Sequence, residues 1–162
     1  MKIIDLLGES RIACGADAAS KKRALELLAQ LIASSDDELT QNVVFDSLLA
    51  RERLGSTGLG FGVAIPHGRT DQVKKAVGAF VQLAQGVDFD AVDRQPVDLM
   101  FALLVPQEAT DDHLQTLAAL AEMFKQPQAR QMLREAKTPE ALAEVLRRWS
   151  SGEVPRMASS GN

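Results

Sequence analysis

The chain carries only two histidines, His67 and His113, and they stand in unlike surroundings. An unperturbed imidazole has a pKa of about 6.5, so near neutral pH one ring nitrogen keeps a lone pair and can act as a nucleophile. His67 lies in the segment Ile65-Pro66-His67-Gly68-Arg69. The proline stiffens the backbone ahead of it and the glycine behind it permits an unusual turn. An imidazole held in this way can take a phosphoryl group directly; the competing structural reading is a buried turn histidine bonded to backbone. His113 falls in the first turn of a helical pattern, one residue before an apolar stripe that begins at Leu114. From the margin of that stripe it can donate a hydrogen bond to phosphoryl oxygens, assisted by the free N–H groups of the helix start, or it can simply cap the helix. Asp111 and Asp112 would oppose a phosphoryl group if they faced it, and they are expected to point to solvent.

Other candidates lie before His67. Arg51 and Arg53 end a helical pattern, and a guanidinium offers paired donors to phosphoryl oxygens. Either can equally be a solvated charge that complements the helix C-terminus. The stretch from Gly55 to Gly62, GSTGLGFG, has four glycines in eight residues, too many for a helix or an interior strand. It lacks the Gly-Lys-Ser/Thr ending of a nucleotide-binding loop and follows a helix rather than a strand. Its expected role is to let backbone N–H groups and the hydroxyls of Ser56 and Thr57 approach a small anion or the His67 ring. No metal site or cofactor is indicated, since neither HExxH nor an i, i+4 histidine pair occurs.

These residues need a scaffold. Ala24, Leu25, Leu28, Leu31 and Ile32 recur at helical spacing after Ser20. A second helix is expected from about Asp37 to Arg53, stopping at Gly55. Val63 to Ile65 reads as a short strand that delivers His67 at its end, because Pro66 disfavours continued pairing. Ala76 to Leu83 and Pro96 to Val105 read as buried strands. Thr110 can cap a helix with Leu114, Leu117, Ala118, Ala121 and Phe124 on its inner face. Pro127 ends that helix or starts the next, and Gln128 to Lys137 and Pro139 to Trp149 are read as two more, the last capped by Thr138. The order helices, strands, helices predicts a single α/β (α+β) domain with a mixed sheet flanked by helices, over residues 1–150, and a disordered polar tail over 151–162.

Composition narrows the function. With 162 residues and a 46% apolar fraction, the chain has material for one core. Its net charge of -4, without a long run of either sign, argues against a nucleic-acid footprint. A single cysteine, Cys14, cannot form an internal disulfide or a thiolate cage. Asp5 and Glu9 interrupt the N-terminus before a signal-peptide core can form, and no apolar run reaches the roughly 20 residues of a membrane span. A cytoplasmic protein is expected.

At IPHGR a wider pattern emerges. The segment LLARERLGSTGLGFGVAIPHGR, residues 48–69, resembles the phosphorylation-site signature of enzyme IIA proteins of the bacterial phosphoenolpyruvate-dependent phosphotransferase system, fructose/mannitol class. QPVDLMFALLVPQ, residues 95–107, and DHLQTLAALAEMF, residues 112–124, resemble the same family, and the similarity is nearest to its free-standing nitrogen-regulatory branch. The resemblance implies a phosphoryl group on the tele nitrogen of His67, His113 as a stabilising neighbour, and Arg51, better matched than Arg53, beside Ser56 and Thr57 at the phosphoryl group. It also implies an HPr-like phosphocarrier protein as donor, and regulatory targets such as sensor kinases or transporters in nitrogen, carbon or potassium control. Phe61 stands where such proteins often carry a small or polar residue. A sugar-specific IIA that relays phosphate to a IIB domain, and a binding module without phosphorylation, are the alternatives.

Overall fold

The computed structural model describes residues 3–109 and 111–151. Two short 3-10 turns, Ile3–Leu6 and Glu9–Arg11, lead into β1 (Ile12–Ala16), α1 (Lys21–Ala33) and α2 (Gln41–Glu52). Then come β2 (Gly58–Gly60), β3 (Val63–Ala64), β4 (His67–Thr70), β5 (Val77–Val87) and β6 (Val97–Pro106), followed by α3 (Asp111–Lys125), α4 (Pro127–Glu135) and α5 (Pro139–Ser151). The strands form one mixed six-stranded sheet in the order β1-β5-β6-β3-β2, with β4 also paired to β6. β5 and β6 are antiparallel, while β3 and β4 run parallel to β6 along the same edge, one after the other. The expected single mixed α/β domain is the architecture observed.

β6 is an almost unbroken apolar run because helices cover both its faces. Leu99, Phe101, Leu103 and Val105 face a core with Leu120 and Phe124 of α3, Leu133 of α4 and Leu142 and Leu146 of α5. Met100, Ala102 and Leu104 face the other way, toward Leu25, Leu28 and Ile32 of α1 and Val44 and Leu48 of α2. Among the described residues, no helix is long and apolar enough to cross a membrane.

Side-chain caps set most helix starts. The Ser20 hydroxyl accepts from the Arg23 N–H at 3.2 Å, and the Thr138 hydroxyl from the Ala141 N–H at 3.0 Å. α2 begins at Gln41 rather than Asp37, because Thr40 caps it through the Val43 N–H at 3.2 Å and Asp36 closes a separate turn onto the Glu38 N–H. Pro127 opens α4 at a position where its missing N–H costs nothing. That helix ends at Glu135, two residues before the expected Lys137.

Other expectations need correction. β1 carried no sequence expectation; it is a short edge strand paired with β5. β5 runs on to Val87. The glycine-rich stretch is not wholly loop, since Gly58–Gly60 pairs antiparallel with β3 as an edge strand. His67 opens a strand of its own instead of ending one. In α3 the buried stripe runs through His113, Leu120 and Phe124, so Leu114, a turn of about 100° away from His113, is 59% exposed. His113 therefore lies within the stripe and not at its margin. Thr110, the tail beyond Ser151 and the side chains of Asp111 and Asp112 fall outside the described residues.

β4 places the site. Side chains alternate along a strand, and His67 and Arg69 pair with Leu103 and Val105, so both rise on the α3 side. Gly68 faces α2, where an added Cβ would lie 2.6 Å from the Ser47 carbonyl oxygen. That close approach brings the end of α2 against β4, and Arg51 follows Ser47 by one turn on the same helix face. We predict that Gly68→Ala forces α2 and β4 apart and lowers stability by about 1–3 kcal/mol in urea unfolding.

Candidate functional site

Two short strands on one β6 edge leave a break between them, and Pro66 occupies it. Its carbonyl accepts from the Leu103 N–H at 2.9 Å, so the β6 ladder continues although proline has no N–H to give. Just before it, the Ile65 N–H donates to the Thr57 carbonyl at 3.1 Å. The free Ile65 carbonyl then meets the His67 ring, with Nδ1 at 2.9 Å. A carbonyl only accepts, so Nδ1 carries the proton and Nε2 keeps the lone pair.

Half-buried, His67 has a pKa below its ordinary value of 6.5, first because burial penalises the charged ring. The Ile65 carbonyl opposes that shift, the Arg51 cation adds to it and Glu52 opposes it. Burial prevails, and the ring is neutral at neutral pH. The site thus offers an oriented, uncharged imidazole with one reactive nitrogen.

His113 is buried on α3, with its Nε2 3.1 Å from Nη2 of Arg69. A guanidinium only donates, so here Nε2 accepts and Nδ1 holds the proton, buried and without a hydrogen-bond partner among the described residues. Arg51 sits in the last turn of α2, donates to the Gly55 carbonyl at 2.8 Å, and is the arginine whose charge is felt at His67. Arg53 is the exposed C-cap residue of the same helix.

The two hydroxyls expected near the anion have other partners. Ser56 donates to the Phe89 carbonyl at 2.8 Å and accepts from the Gly58 N–H. Thr57 donates through Oγ1 at 2.7 Å and through its N–H at 2.8 Å to the two carboxylate oxygens of Glu52. Glu52 is only 6% exposed and pairs with Lys21 Nζ at 3.1 Å, which also lies over the Phe89 ring. Ser56 and Thr57 therefore hold the loop in shape.

Sequence reasoning missed Glu52, Lys21 and Arg69. Glu52 continues the buried Val44, Leu48 spacing of α2, so a carboxylate at a core position was the available signal. Arg69 stands two residues after His67, the spacing that shares a face in a strand. Among the described residues, no group of three or more His, Cys, Asp or Glu is arranged to hold a metal ion.

A neutral histidine opening a strand beside a glycine-rich loop, on this sheet, matches a known architecture. The chain belongs to the family described as "Phosphoenolpyruvate-dependent sugar phosphotransferase system, EIIA 2", which it matches over residues 5–149. Within that family its similarity runs to nitrogen-regulatory members. It is 42% identical over 146 residues to the nitrogen regulatory protein of Pseudomonas aeruginosa, covering 90% of this chain and 95% of that protein. The crystal structure of the nitrogen regulatory protein IIA-Ntr from Neisseria meningitidis superposes with a TM-score of 0.84 at 44% identity, over 89% of this chain and 98% of that one. A protein of Haloferax volcanii named as a fructose-specific EIIA component is 40% identical over 128 residues, covering 79% of this chain and 83% of that protein.

Two measurements check this geometry. In an imidazole 15N titration, His67 should hold its proton on Nδ1 and titrate with a midpoint below that of a free imidazole, so nucleophile is lost on acidification later than for a free imidazole. Glu52→Ala should cost on the order of 2–4 kcal/mol, because both Thr57 donors lose their buried acceptor.

Proposed function

We propose that the chain is a regulatory phosphoryl carrier that accepts a phosphoryl group on Nε2 of His67 from an HPr-like phosphocarrier protein in the cytoplasm. The observation that carries this reading is the Nδ1–H bond of His67 to the Ile65 carbonyl, which leaves Nε2 as the one reactive nitrogen of a neutral ring. In the transfer the N–P bond of the carrier breaks, its electron pair returns to the carrier's nitrogen, and a new N–P bond forms at Nε2. Nδ1 keeps its proton, and the positive charge that develops on the ring is stabilised by the Ile65 carbonyl and the nearby Glu52 carboxylate. The Arg51 guanidinium balances phosphoryl charge, Ser56 and Thr57 hold the loop whose backbone borders it, and His113 assists transfer without attacking, through the Arg69 guanidinium that it holds at 3.1 Å.

Phosphorylation adds about -1.5 to -2 charges at this point. Leu54, Leu59 and Phe61 are exposed on and beside the glycine-rich loop. A regulatory target that presses apolar surface there must desolvate the phosphoryl group, so the unphosphorylated form binds tighter, with a coupling of about 1–3 kcal/mol. The second reading, relay to a IIB domain of a sugar transporter, is favoured by the likeness to a fructose-specific component.

The test is incubation with phosphoenolpyruvate, enzyme I and an HPr-type carrier. Wild-type chain should take up acid-labile, alkali-stable phosphate, His67→Ala none, and His113→Ala should still accept but transfer about 10- to 1000-fold more slowly. Uptake by His67→Ala would end the proposal. Wild-type, His67→Ala and His67→Asp chains should also differ in their regulatory partners; equal binding by all three would favour the sugar relay.

A further inference from the structure

A phosphoryl donor docked over this site has two imidazoles within its neighbourhood. Which one reacts depends on which ring nitrogen presents a lone pair, because only the lone pair can attack phosphorus. His67 presents Nε2. His113 presents neither nitrogen: its Nδ1 bears the proton and is buried, and its Nε2 lone pair is taken by Arg69 at 3.1 Å.

Arg69 is well suited to that task. It shares the α3 face of β4 with His67, which puts its long side chain beside the start of α3. It is itself exposed, so it contributes little to the core. A guanidinium keeps its protons at every physiological pH, so it donates to Nε2 and never competes for a proton. We infer that Arg69 masks the lone pair of His113 and thereby makes His67 the sole phosphoryl acceptor, an inference that rests on the acceptor reading of His67 given above. Attack by His113 would require the Arg69 bond to break first, whereas among the described residues none holds a hydrogen bond to Nε2 of His67.

Potassium phosphoramidate tests this, because it is small and needs no docking surface. Its N–P bond breaks, ammonia leaves with the electron pair, and the imidazole Nε2 forms the new N–P bond. Full-length His67→Ala, His67→Ala/Arg69→Ala and His67→Ala/Arg69→Lys chains are treated and the phosphate is mapped under alkaline conditions. His113 should stay unmodified in His67→Ala and react at least about tenfold faster once Arg69 is removed, the ratio expected for loss of one charge-assisted hydrogen bond. Arg69→Lys keeps a donor and should restore the mask. In imidazole 15N spectra, Arg69→Ala in an otherwise native chain should move the His113 Nε2 resonance and leave that of His67 in place. Equal modification of His113 with and without Arg69, whether high or absent in both, overturns the mask. Failure of the wild-type chain to react at His67 would instead overturn the acceptor reading, and the pair of His67→Ala variants would still report on Arg69.

Discussion

The hydrogen bonds along one edge of β6 are shared between two short strands, and the chain between them must change course without leaving buried groups unpaired. Pro66 meets that constraint, since only its carbonyl is asked to pair and Leu103 supplies the donor. The Ile65 carbonyl is then left over, turned toward the next side chain but one. A histidine at that position finds an acceptor for one nitrogen, which leaves the lone pair on the other. The sheet thus fixes the imidazole tautomer through backbone alone, with no carboxylate needed as orienting partner.

Around this imidazole, charge is graded by depth. Glu52 is buried and occupied by Thr57 and Lys21, so it acts at His67 through its field and not by contact. Arg51, from the end of α2, is felt at His67 through its charge, while Arg69, from β4 itself, engages His113. A neutral nucleophile beside cationic side chains suits a group that arrives as a dianion and must later leave. The Glu52 network also carries the glycine-rich loop, so the stability of that loop and the electrostatics of the site share one carboxylate.

Much of this was legible in the sequence. The Thr138 cap, the helix that opens at Ser20, the buried runs of β5 and β6 and the site histidines all announce themselves by type and spacing. The exceptions share a cause, which is that tertiary pairing overrides local signals. Pro66 reads as the end of a strand, yet a new strand starts directly after it because β6 still has donors and acceptors to satisfy. The stripe of α3 is rotated because a histidine with a specific partner takes a place that Leu114 would take on hydropathy alone. The hydroxyls of Ser56 and Thr57 look available from their loop position, and the buried carboxylate that engages Thr57 comes from the preceding helix, where only its place in the Val44, Leu48 spacing marks it.

Phe61 adopts a left-handed backbone, with φ at 59°, at the tip of the β2–β3 hairpin. Its N–H donates to Asp93 at 2.9 Å, its carbonyl accepts from Arg134 at 2.6 Å, and its ring lies 4.4 Å beneath the Arg130 guanidinium. The hairpin tip is thereby fastened to α4, and the strand behind it, β2, is only three residues long. Such an edge offers almost no backbone ladder for strand addition, which guards the chain against edge-to-edge aggregation. Recognition at this end of the molecule must then run through side chains and loop shape, the kind of contact that a single added charge can disrupt.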